Sequence, residues 1–132
     1  MKDGNCSLYL YVAGENFDSD AFSKSLGPSL KGSIGSRTNR LKGVVEKYWK
    51  SKETEIADSE FVGDALFDLL ETYKSSLLSL RPLDDKDIGA NIVVHNSDLY
   101  SQRGYSFSKE LLGLLVEVGA EVDIDVYGPD EE

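Results

Sequence analysis

Between Ser59 and Pro82 the apolar residues Phe61, Val62, Ala65, Leu66, Leu69, Leu70, Tyr73, Leu77 and Leu80 recur at three- and four-residue spacing. That period places them on one face of a long helix, capped by Asp58 or Ser59 and ended by Pro82. A helix with so long an apolar stripe gains most of its stability from whatever covers the stripe, so the rest of the chain must supply a complementary surface. It offers strands. SLYLYVAG, 7–14, alternates Leu8, Leu10 and Val12 with Tyr9 and Tyr11 and stops at Gly14. LDDKDIGANIVVHN opens with a polar turn and then sets Ile88, Ala90, Ile92 and Val94 on one parity, which predicts a strand over 88–95 with His95 on the opposite side. GAEVDIDVYG, 119–128, predicts a last strand with Val122, Ile124 and Val126 inward and Glu121, Asp123, Asp125 and Tyr127 outward.

The remaining segments fill the order. NFDSDAFSKSLG predicts a short helix capped by Asp18, with Phe22 and Leu26 on one face and Gly27-Pro28 at its end. SLKGSIGSRTNRLKG has three glycines and no sustained period, so a short strand over 31–35 followed by a loop is expected. VVEKYWKSKETEIA, 44–57, has strand composition and reads as one strand. SDLYSQRGYS is a polar, Tyr-rich loop long enough to serve as a functional surface. FSKELLGLLVEVG predicts a helix with Phe107, Leu111, Leu112, Leu115 and Val118 on its stripe and Gly119 as a left-handed cap. The order β-α-β-β-α-β-α-β predicts an α/β (α+β) fold: a two-layer sandwich, a mixed or antiparallel sheet with its helices on one face, a ferredoxin-like variant. A length of 132 residues suits one domain over 1–132, with frayed ends at about 1–5 and 128–132.

Charge separates the function classes. The net formal charge is −10, yet residues 31–52 carry Lys31, Arg37, Arg40, Lys42, Lys47, Lys50 and Lys52 against Glu46 alone. From Asp84 onward acids far outnumber cations. Such a field repels nucleic acid and steers encounter with a basic protein. The basic stretch, with Tyr48 and Trp49 among its cations, reads as solvated or neutralised internally. No apolar run is long enough for a bilayer span, and the N-terminus has too short an apolar stretch for a signal peptide, so a cytoplasmic protein without membrane contact is expected.

Candidate chemistry is sparse. One cysteine, Cys6, and one histidine, His95, do not supply a zinc site or a nucleophile with its base. Asp123 and Asp125 stand roughly 6–7 Å apart along one strand face. Parallel projection there does not converge on a metal, and an exposed face does not split two carboxyl pKa values for acid and base roles. DDKD at 84–87 is too short for a calcium loop, and Gly32 to Gly35 lacks the strand-to-helix context of a phosphate loop. No catalytic, cofactor-binding or metal residue is therefore expected, nor is an enzyme. Binding remains. Asp98, Tyr100, Tyr105, Glu121, Asp123, Asp125 and Tyr127 are the candidate partner-binding residues, acids for steering and tyrosines for anchoring.

GENFDSDAFSKSLG after the opening strand, the middle strand with Trp49, the long helix and FSKELLGLLVEVGAEVDIDVYG together resemble the bacterial domain-of-unknown-function family 4279. The shared positions are mainly core and cap residues: Phe17, Asp18, Leu26, Gly27, Trp49, Leu111, Gly119, Asp123 and Tyr127. SRTNRLKG departs from the family's pattern, where a short Trp-containing turn is expected. The resemblance implies the fold and brings no catalytic set. It further implies a likeness to small acidic immunity proteins of toxin systems. The expected function is thus an immunity protein, a stoichiometric antitoxin that neutralises a cognate toxin domain, such as a nuclease of contact-dependent growth inhibition. The alternative is a small ligand-binding or regulatory domain using the concave face of the sheet.

Overall fold

The computed structural model describes residues 6–56, 62–95 and 106–127. Phe61, the expected cap at Asp58 or Ser59, Asp98, Tyr100 and Tyr105 of the polar loop, and both expected frayed ends lie outside those residues. Strand β1 (Cys6–Gly14) is followed by helix α1 (Ser19–Ser25), a 3-10 turn (Pro28–Leu30), and strands β2 (Ser33–Asn39), β3 (Val44–Lys50) and β4 (Thr54–Ile56). Helix α2 (Val62–Leu78), strand β5 (Lys86–His95), helix α3 (Lys109–Val118) and strand β6 (Glu121–Tyr127) complete the order.

The strands form one mixed sheet in the order β2-β3-β1-β5-β6, with β4 paired to the other half of β1's free edge. β1 pairs antiparallel with β3, β4 and β5, β2 pairs antiparallel with β3, and β5 and β6 are parallel. The parallel pair requires a crossover, which α3 provides. A mixed sheet with helices on one side is what holds of the ferredoxin-like expectation. Strand order is a separate matter, because β1 here lies between antiparallel neighbours on both sides.

Alternation decides which side the helices cover. Cys6, Leu8, Leu10 and Val12 of β1 are fully buried, and Ile88, Ala90, Ile92 and Val94 of β5 join them on the same face. Over that face α2 lays Val62, Leu66, Leu70, Tyr73 and Leu77, and α3 lays Leu111, Leu114, Leu115 and Val118. Each fully buried aliphatic side chain contributes about 1.5–3 kcal/mol. Near β3 the core becomes aromatic: Trp49 meets Phe22 edge-on at 4.9 Å and Tyr73 at 5.3 Å. Tyr73 keeps its hydroxyl satisfied by donating to the Leu30 carbonyl at 2.9 Å. Caps fix the helix ends: Asp18 accepts from the Ala21 amide at 3.0 Å, Ser108 from Leu111 at 3.1 Å, and Gly119 adopts φ 76°.

Four expectations change. The loop expected after Gly35 is strand as far as Asn39, because β2 forms a hairpin with β3 and pairing overrides weak local preference. The single strand expected over 44–57 is two, β3 and β4. The break occurs at Ser51, whose amide donates to the Leu10 carbonyl while its Oγ accepts from the Leu10 amide, both at 2.9 Å. A side chain thus takes the place of a ladder carbonyl, and the strand resumes against Cys6–Leu8. In α3 the buried position is Leu114, whereas Leu112 is exposed. In β6 only Val122 packs against the core; Ile124 and Val126 are 43% and 55% exposed. α3 packs on α2 through the shared core, with Lys74 and Glu117 paired at 3.4 Å, and among the described residues no element covers the outer half of β6.

The phase of α3 is directly measurable. Leu111→Ala removes a fully buried side chain and lowers stability by about 2–5 kcal/mol. Leu112→Ala, one residue on, changes it by less than about 0.5 kcal/mol. Urea denaturation of the two variants distinguishes this phase from one with Leu112 in the core.

Candidate functional site

Because the helices occupy one side of the sheet, the other side carries its own row of residues. Cross-strand register assigns them: Gly35, Arg37 and Asn39 from β2, Glu46, Tyr48 and Lys50 from β3, and Tyr9 and Tyr11 from β1. β5 adds Asp87, Gly89, Asn91, Val93 and His95, and β6 adds Glu121, Asp123, Asp125 and Tyr127. Among the described residues no helix packs on this face.

Its basic end is held by a buried acid. Glu46 is 1% exposed, and Arg37 donates to its Oε1 from Nε at 2.9 Å and from Nη2 at 2.7 Å. Asn39 donates to Oε2 at 3.2 Å. Burial raises the Glu46 pKa, but the hydrogen bonds from Arg37 and Asn39 more than offset it and leave the carboxyl below its ordinary value. Arg37 also reaches Asp87 at 3.4 Å and the Tyr11 hydroxyl at 3.2 Å, with its guanidinium 5.2 Å from the Tyr11 ring centroid. Tyr11 stacks on Tyr48 at 5.4 Å, and Tyr48 covers Gly35, where any side chain would collide with the phenol ring. Lys50 lies over the Tyr9 ring at 4.3 Å and pairs with Glu53 at 3.4 Å, while Lys42 sits 3.9 Å from Asp85. Within the basic stretch, Arg37, Lys42 and Lys50 thus have acidic partners among the described residues.

The acidic end is left open. Glu121, Asp123, Asp125 and Tyr127 are exposed and point to the same side, as their alternation predicts. Tyr127 rests on His95, the rings stacked at 5.4 Å. Burial, followed by the charge of Asp125 and then of Glu53, raises the Tyr9 pKa, which places the β6 acids within electrical reach of the central tyrosines. Asp98, Tyr100 and Tyr105, the other candidate partner residues, lie outside the described residues. Sequence reading missed the Arg37–Glu46–Asn39 brace and the polar parity of β5, where Asp87, Gly89 and Asn91 alternate with the core residues Ile88, Ala90 and Ile92. The signal was present in DIGANI, whose second parity is polar and small.

On the other side of the molecule a cleft of about 460 Å³ lies between α1 and the turn before β5, lined by Phe17, Phe22, Leu80 and Leu83 with Asp18 and Ser79 at its polar margin.

The fold and this face define a class: a two-layer α+β module in which, among the described residues, one sheet face, polar and aromatic, has no helical cover. A family model, Domain of unknown function (DUF4279), matches residues 4–129, and the chain belongs to that family. No curated protein and no solved structure matches the chain. No described helix is long and apolar enough to cross a membrane.

Removing Arg37 exposes what it does. Arg37→Ala strands a buried carboxylate and destabilises the protein by roughly 2 kcal/mol at neutral pH, less than for a fully buried pair because the guanidinium is 36% exposed and screened by solvent. In the wild type the folded Glu46 pKa lies below its unfolded value, so its contribution is present at neutral pH and is lost as pH falls through the folded pKa. In the variant, burial acts without Arg37 and raises that pKa, so protonation relieves the penalty. The gap in melting temperature between the two proteins should narrow from pH 7 to pH 4. An equal gap at both pH values would contradict the brace.

Proposed function

We propose that this protein is a stoichiometric inhibitor, an immunity protein that binds and neutralises a basic toxin domain through the uncovered face of its sheet. The observation that carries the reading is the row Glu121, Asp123, Asp125 and Tyr127, exposed side by side on β6 and continuous with the tyrosines of β1. Acids at an open edge steer a cationic partner into contact, and half-buried aromatics beside them supply apolar area at small entropic cost. An acidic strip of this kind imitates the phosphate backbone that a nuclease cleft is shaped to receive, which favours a nuclease of contact-dependent growth inhibition or a related secreted toxin as the target. Inhibition then consists of occupying the cleft.

Under this proposal the neighbouring open reading frame encodes the toxin, and co-expression of the two proteins should restore growth to cells that the toxin alone arrests. Continued arrest with both proteins soluble overturns the proposal. On the binding side, Asp123→Lys combined with Asp125→Lys should slow association by about tenfold or more at low salt and flatten its salt dependence. Unchanged kinetics would put the interface elsewhere. The apolar cleft beside α1 favours a second reading, a small-ligand or regulatory domain; a metabolite retained in native mass spectrometry, with no growth rescue, would select it.

A further inference from the structure

A pocket of about 190 Å³ opens on the uncovered face, where Tyr11, Arg37, Asp87, Asn91, Glu121 and Asp123 surround Gly89. It exists because of a missing side chain. In register, Gly89 stands between Tyr11 on β1 and Glu121 on β6, both long residues, so the face is open by one side chain's width. Packing does not force the glycine: a Cβ there would stand 3.4 Å from Asn91 Nδ2 and 3.7 Å from Asp123 Oδ2, ordinary contact distances. The floor is polar. Asn91 is 8% exposed, and what exposure it keeps is toward this pocket, which it lines. A ligand group entering there can reach its carboxamide directly.

The walls say which partner. Arg37 is engaged with Glu46 and Asp87 and does not offer a free charge, so Glu121 and Asp123 dominate the rim and repel an anion. A metal ion needs its oxygens gathered at one point, and no group of three or more His, Cys, Asp or Glu among the described residues can hold one. Acceptors spread around a shallow pocket fit a cation whose donors are also spread. A guanidinium presents five N–H donors in one plane, whereas an ammonium presents three from a single atom. The neighbouring Tyr11 ring already has one guanidinium beside it.

We propose that this pocket receives the guanidinium of an arginine side chain, with Asp123 and Glu121 as charged acceptors and the Asn91 carbonyl as the neutral acceptor on the floor. The proposal deepens the reading above and rests on it for the source of the arginine, which the partner presents. The site itself is testable without that partner. Nα-acetyl-arginine amide, its lysine counterpart and its neutral citrulline counterpart are titrated into isotope-labelled protein and followed by NMR. The arginine compound should saturate shifts at the Gly89 backbone amide and the Asn91 side-chain amide, and bind about tenfold or more tightly than citrulline, the difference expected for charged hydrogen bonds. Gly89→Val, which plugs the pocket, should abolish those shifts. Asp123→Asn, at an exposed position, should weaken binding by about tenfold and carries the test if the valine variant does not fold. Equal binding of citrulline or lysine, or shifts that persist in the folded Gly89→Val protein, overturns the assignment. Growth rescue distinguishes the two claims: arginine binding without rescue removes the toxin reading alone, and rescue without arginine binding removes the pocket alone.

Discussion

The antiparallel pairing of β1 with β5, nine residues long from Cys6↔Val94 to Gly14↔Lys86, is the constraint from which the other placements follow. β3 and β4 attach to one edge of β1, β2 attaches to β3, and β6 attaches to β5, so every register is set relative to this pair. A slip by one residue would send Leu8, Leu10 and Val12 to the open face and bring Tyr9 and Tyr11 under the helices. The fully buried aliphatic parity forbids it. Fixing that parity also fixes the composition of the far side, where the tyrosines of β1, the polar residues of β5 and the acids of β6 then share a surface.

The open face is organised by charge more than by packing. Glu46 is buried without losing its charge because Arg37 and Asn39 satisfy it, and the same Arg37 reaches across β1 to Asp87. This brace closes the basic hairpin onto the sheet and answers Arg37, while Lys42 and Lys50 pair with Asp85 and Glu53. Nothing comparable answers Glu121, Asp123 and Asp125 among the described side-chain contacts, so the unspent charge of the molecule is concentrated at the β6 end. A face braced at one end and left with open acids at the other is directional, as the binding role proposed above for it would require.

Much of this was legible in the chain. Strands β1, β5 and β6, the α2 stripe, most of the α3 stripe, Asp18 and Gly119 as caps, and the outward parity of β6 all follow from periodicities of two and 3.6 and from backbone preferences that act within a few residues. The hairpin of β2 with β3 was not, because SIGSRTN has weak strand preference and becomes a strand through its pairing. The β6 aliphatics misled for a related reason. Alternation shows which side Ile124 and Val126 face, but cover depends on where α3 comes to rest, and α3 is drawn toward α2 and the inner strands.

By itself, the sequence determined β1, β5, β6, the helices and the outward acidic row, since each is a local property of spacing and residue type. Only the tertiary structure decided that Arg37 serves Glu46, that the described helices all pack on the other face of the sheet, and that Gly89 and Asn91 of β5 meet Asp123 of β6 around a pocket. Those facts join residues far apart in the chain, and no local period carries information about which strand lies beside which.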